Sequence, residues 1–181
     1  MNSFLVLLAA IASASTLAAK QDQAGPYTQI GTSGDTSEAS NGRLRAKLLV
    51  VPDIDAFWKA WEVSTPPQIV TTDTITHAKP VHAVIVFSGC TPGGDGQCKL
   101  SVTFAVTAPD GRPYDKETTA AAWEGPAGGD HLLASSASFG FHLETTDQLG
   151  RYQMKATLTD EISRTSLTIR KAVVAVAASG R

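Results

Sequence analysis

The side chains of this 181-residue chain that could do chemistry are two thiols, four imidazoles and a scatter of carboxylates. Cys90 and Cys98 are separated by Thr91 to Gln97. Redox and zinc-binding thiols favour a Cys-x-x-Cys spacing or a neighbouring His, which lowers the thiol pKa or completes a coordination sphere. This pair has neither, so it is expected to form a structural disulfide. His77, His82, His131 and His142 are dispersed and lack a His-x-His spacing, so no metal ligand is assigned. Pro92-Gly93-Gly94-Asp95-Gly96 offers one carboxylate where calcium wants six to eight oxygens, and reads as a flexible loop tip. The chain carries no Gly-x-Ser-x-Gly elbow, His-Glu-x-x-His helix, phosphate-cradling loop or dinucleotide fingerprint. No catalytic residue and no cofactor follow, and a non-enzymatic protein is expected. The competing class is a metal-binding protein or enzyme that assembles these histidines with acids such as Asp73, Glu144 and Asp160.

Binding is the other chemistry to consider. Trp58, Trp61 and Trp123 are the only tryptophans, and their rings offer contact area at low entropic cost. Exposed together they would form a platform for a sugar or peptide. Packed down, they would instead cover an open end of the fold.

The elements that must hold these groups follow from periodicity. Val81 to Cys90 and Cys98 to Thr107 are rich in Val, Ile, Phe and Thr and flank a Pro/Gly/Asp cluster, which reads as a buried β-hairpin. Leu100, Val102, Phe104 and Val106 share one parity with Cys98, opposite Ser101, Thr103 and Thr107. On the outgoing strand Val84 and Val86 share the parity of Cys90, while Ile85 and Phe87 make the other face apolar too, as for a strand covered on both sides. Facing residues of an antiparallel pair are close enough for a disulfide. Closing so short a loop would contribute about 2.5 kcal/mol by the chain-entropy estimate.

Composition bounds the setting. With 43% hydrophobic and 18% charged residues the chain can fold, and a net charge of −2 argues against a nucleic-acid partner. Phe4 to Ala12 is an apolar run of signal-peptide length, too short to span a bilayer, followed by small-x-small cleavage sequences. A signal peptide is therefore expected over 1–19, a flexible Gly/Ser-rich leader over 20–43, the folded domain over 44–177 and a tail over 178–181. The expected location is periplasmic or secreted, where disulfides persist. No stable membrane insertion is expected after cleavage. The expected role is that of a binding or structural module of the cell envelope, the candidate partner of a binding module being a protein or glycan, and the sequence leaves the oligomeric state open.

Along the domain, Leu44 to Val50 alternates as a first strand. Asp53 to Trp61 has the form of a short helix, with Asp53 as cap and Phe57 and Trp61 on one side. Gln68 to Thr76 reads as an edge strand, Tyr114 to Trp123 as a strand, and Gly125 to Asp130 as a loop. Ser136 to Glu144, Arg151 to Leu158 and Ser166 to Val176 complete about seven to eight short strands, the pattern of an all-β antiparallel sandwich.

Asp147-Gln148-Leu149-Gly150-Arg151-Tyr152-Gln153-Met154 resembles the corner before the penultimate strand of immunoglobulin-like domains, which reads Asp, spacer, Gly, any residue, Tyr, any residue, Cys. The resemblance implies an immunoglobulin-like sandwich in which the Tyr152 hydroxyl caps a backbone group in the preceding connection. Met154 stands at the position of the inter-sheet cysteine, so that disulfide should be missing here. With its Phe-Ser-Gly-Cys strand end and Pro-Asp-Gly turn, the chain also looks like small exported bacterial proteins of unknown activity.

Overall fold

The computed structural model describes residues 36–63, 66–77 and 79–177. The expected signal segment, the leader up to residue 35 and the tail from 178 lie outside the described residues. In chain order the elements are β1 (Glu38–Asn41), β2 (Leu44–Val51), α1 (Ile54–Val63), β3 (Thr74–Ile75), β4 (Val81–Ser88), β5 (Gln97–Thr107), β6 (Thr118–Pro126), β7 (Leu133–Phe141), β8 (Gly150–Asp160) and β9 (Thr165–Ala175). They form two sheets, ordered β1-β2-β4-β7 and β3-β9-β8-β5-β6. All pairings are antiparallel except that of β3 with β9. This is an antiparallel immunoglobulin-like sandwich, as expected.

The hairpin expectation is corrected. β4 and β5 lie in different sheets, so the segment between them crosses from one layer to the other. Alternation reports which faces a strand buries, and it is silent about which strand lies alongside. Burial on both faces of β4 does hold: Ile85 and Phe87 enter the inter-sheet core, while Val84 and Val86 join a second cluster with Val51, Phe57 and Ala134. That second cluster exists because α1 and the chain after it cover the outer face of the first sheet.

Residues 36–43 correct the leader boundary, because they belong to the fold. A two-residue turn of Gly42, at φ 62°, and Arg43 joins β1 to β2, the geometry in which Gly at the first turn position is favoured. Of the expected edge strand 68–76 only Thr74–Ile75 forms, and Thr72 N instead donates to Val50 O, on the stretch of β2 that runs past the end of β1. β6 starts later than expected, at Thr118, and runs on through Gly125 and Pro126.

Candidate binding surface

Helix α1 starts where its sequence directs. The Asp53 carboxylate accepts from Ala56 N at 2.9 Å, capping a free N–H of the first turn. Phe57 is buried, and its ring is T-shaped to Trp58 with centroids 5.0 Å apart and stacked on Trp61 at 5.6 Å. The i, i+4 spacing of Phe57 and Trp61 produces that stack. Trp58, Trp61, Ile69 and Leu132 are half-buried around the outer cluster. Beside them Val70 is 73% exposed, the most open large apolar residue among those described.

Trp123 is elsewhere. It lies on β6, its ring 5.9 Å from that of Phe87 against the inter-sheet core, and its indole N–H donates to Pro126 O at 3.3 Å. The three tryptophans thus make no single platform. Trp58 and Trp61 form one surface on α1, and Trp123 closes the core beside β6.

The disulfide is present. Cys90 and Cys98 are joined with their Cα atoms 6.1 Å apart, both buried in the inter-sheet core. The outward parity of Val84 and Val86 does not carry through to Cys90, because Gly89 adopts φ 74° and turns the chain inward. A Cβ on Gly89 would collide with the Arg43 carbonyl. The bridge therefore clamps the β4–β5 crossover between sheets, where a within-sheet hairpin bridge was expected.

Asp160, at the end of β8, anchors the same end of the sandwich. Its Oδ2 accepts from Thr91 N at 2.7 Å, and its Oδ1 from Ile162 N at 3.0 Å and Ser163 N at 3.1 Å. Burial by itself would raise the Asp160 carboxyl. The N–H groups of Thr91, Ser163 and Ile162, with the Thr91 hydroxyl, outweigh it and hold the group below the ordinary aspartate range.

The opposite end is closed by Tyr114, Phe141 and Tyr152, with ring centroids 5.2 to 5.5 Å apart. Tyr152 Oη donates to Gln148 O at 2.9 Å, the corner bond that the resemblance implied. Tyr114 Oη donates to Asp147 Oδ2 at 2.5 Å, and Glu144 N donates to the same oxygen at 2.6 Å. Burial first, and the Asp147 carboxylate second, push the Tyr114 phenol well above the ordinary tyrosine value. This Tyr114–Asp147 clasp carries no local sequence motif, and periodicity could not reveal it.

Of the dispersed groups, His77 and His142 do come to this end. His77 Nε2 donates to Asp147 O at 3.3 Å, and His142 Nε2 lies 3.1 Å from Glu144 Oε1. His82 lies on β4 opposite Gly140, His131 is in the exposed connection before β7, Asp73 stands just before β3 with its carbonyl accepting from Val174 N, and Asp160 is at the other end of β8 from the Asp147 corner. Among the described residues no three His, Cys, Asp or Glu stand together as metal ligands, and no helix is long and apolar enough to cross a membrane.

The architecture defines the chain as an immunoglobulin-like β-sandwich. No family model and no curated protein matches the sequence. Solved structures with a similar arrangement include the CARDB domain of a Pyrococcus furiosus protein in complex with di-metal ions. It is 19% identical, with a TM-score of 0.37, over 58% of this chain and 81% of that one. A Niemann-Pick type C2 protein from the Japanese carpenter ant is 8% identical, with a TM-score of 0.41, over 72% of this chain and 89% of that one.

Proposed function

We propose that this chain is an exported, non-enzymatic module of the cell envelope that binds a protein or glycan partner through the α1 surface bearing Trp58 and Trp61. The observation that carries the reading is the seating of these two half-buried rings on Phe57, which is itself anchored on Val51, Val84 and Val86. Rings held in this way present area without first losing rotamer freedom, the property that makes tryptophan a frequent anchor of interfaces. Export is supported by the signal-like amino terminus, and by a buried disulfide of the kind that persists in oxidising compartments. The Asp147 and Asp160 carboxylates and the Tyr114 phenol are already engaged in holding connections at the sandwich ends, which favours a framework role for them over catalysis.

Capture of partners from envelope extracts tests the reading, with wild type compared against Trp58→Ala and Trp61→Ala. The expected result is a partner retained by the wild type and lost from both variants while they remain folded by circular dichroism. The same partner captured equally by all three would refute the α1 assignment.

A further inference from the structure

We propose that the free edge of β6 pairs with β6 of a second copy of this chain, antiparallel about a two-fold axis at Thr119, joining two five-stranded sheets into one.

The direction of the backbone groups comes first. Along β5, Tyr114 N donates to Val106 O on one side and Glu161 N donates to Lys99 O on the other. Even-numbered residues of β5 therefore address β6, and odd-numbered ones address β8. Thr119 stands opposite Thr103 and Ala121 opposite Ser101. In an antiparallel ladder such non-bonded partners turn their N–H and C=O groups away from each other. The backbone groups of Thr119 and Ala121 thus point out of the sheet.

The other edges are blunted. β1 has four residues and β3 two, and the length of β9 beyond β3 is met by Thr36 O, which accepts from Arg170 N, and by Asn41 Nδ2, which donates to Ser166 O. On β7 the Ser135 hydroxyl takes both the N–H and the C=O of Ala137, at 3.1 and 3.0 Å, beside a register shift. On β6 itself the Ala122 carbonyl is taken by the Ser136 hydroxyl at 3.1 Å, at a second register shift. This leaves Thr118 to Ala121 open, a run without charge, proline or glycine, which is the edge type that recruits another strand.

The run is self-complementary. A two-fold axis at Thr119 sets it opposite its own copy as a hydrogen-bonded pair and places residue 117 opposite Ala121, so no like charges face each other. It also extends a row already present on the outer face. Thr119, Thr103, Thr157 and Thr168 stand in register across four strands, with hydroxyl contacts of 2.8 Å between Thr103 and Thr119 and 3.2 Å between Thr157 and Thr168. Cross-strand threonine pairs of this kind stabilise sheets, and the dimer adds one more at its axis.

Sedimentation velocity over a wide concentration range tests this with wild type, Thr119→Pro and Thr119→Lys. Proline removes an N–H that the monomer leaves unused, a substitution edge strands tolerate, and lysine places like charges together at the axis. The expected result is a concentration-dependent dimer for the wild type and its loss in both variants, each keeping the wild-type circular dichroism. A wild type that stays monomeric throughout would overturn the proposal, as would a dimer that survives in a folded Thr119 variant.

Discussion

The Asp160 carboxylate and the Thr91 backbone, 69 positions apart in sequence, meet at 2.7 Å and tie the β8–β9 turn to the disulfide-closed crossover. Two devices, one covalent and one polar, thus hold the same end of the sandwich.

Asp160→Asn keeps the shape but sets an amide N–H₂ against donors on one side of the site. A buried donor left without its acceptor costs about 1 to 3 kcal/mol, which urea denaturation would register as a lower midpoint. The folded-state carboxyl lies below its ordinary value of 3.8, so its contribution is complete above that pH and is lost as pH falls further. The wild type should therefore lose stability below about pH 4 more steeply than Asp160→Asn; parallel acid titrations of the two proteins would contradict this role.

Reduction of Cys90–Cys98 is expected to cost about 2 to 3 kcal/mol, from the entropy of the loop it closes. Thermal denaturation with and without reductant measures the shift. Cys90→Ser/Cys98→Ser should melt at the lower temperature in both conditions, and a wild-type melting temperature insensitive to complete reduction would remove the bridge from the stability account.

Gly89 admits no side chain without displacing the Arg43 carbonyl, and its φ of 74° is one that side chains disfavour. Gly89→Ala is expected to lower stability by about 2 kcal/mol or more, as backbone incompatibilities of this type do. Gly94, which has open space around its Cα, is the control position. Chemical denaturation should separate Gly89→Ala from Gly94→Ala clearly.

At the far end, burial raises the phenols of both Tyr114 and Tyr152 above their ordinary value of 10.0, Asp147 reinforcing the shift for each. Their neutral form belongs to the folded state, so this stability is present below about pH 10 and lost as pH climbs through the raised values. Ultraviolet titration of the folded protein should show the two phenols ionising late. Tyr152→Phe, which orphans the Gln148 carbonyl, should cost about 0.5 to 1.5 kcal/mol.

Much of this fold was legible residue by residue. Strict alternation located β2, β5, β8 and most of β7, the Asp53 cap and the Phe57/Trp61 spacing located α1, and the Asp-x-Leu-Gly-x-Tyr segment located the corner. Layer assignment was not legible, because Ile85/Phe87 and Val84/Val86 are equally apolar whichever surface each pair meets. β1 escaped notice because a polar edge strand is held by backbone bonds that composition does not report, although Asn41-Gly42 carries a turn signal. On the candidate surface the type of residue was readable but the grouping was not. Trp123 parts from Trp58 and Trp61 only once β6 is placed against Phe87.

Site-specific photocrosslinking in living cells tests the α1 surface most directly. A photoreactive residue at exposed Lys59 on α1 is compared with one at exposed Lys116, ahead of β6. The expected result is a discrete adduct with an envelope protein or glycan from position 59, diminished by Trp58→Ala, and none with that partner from position 116. No adduct from position 59, or the same adduct from both positions, would contradict binding through Trp58 and Trp61.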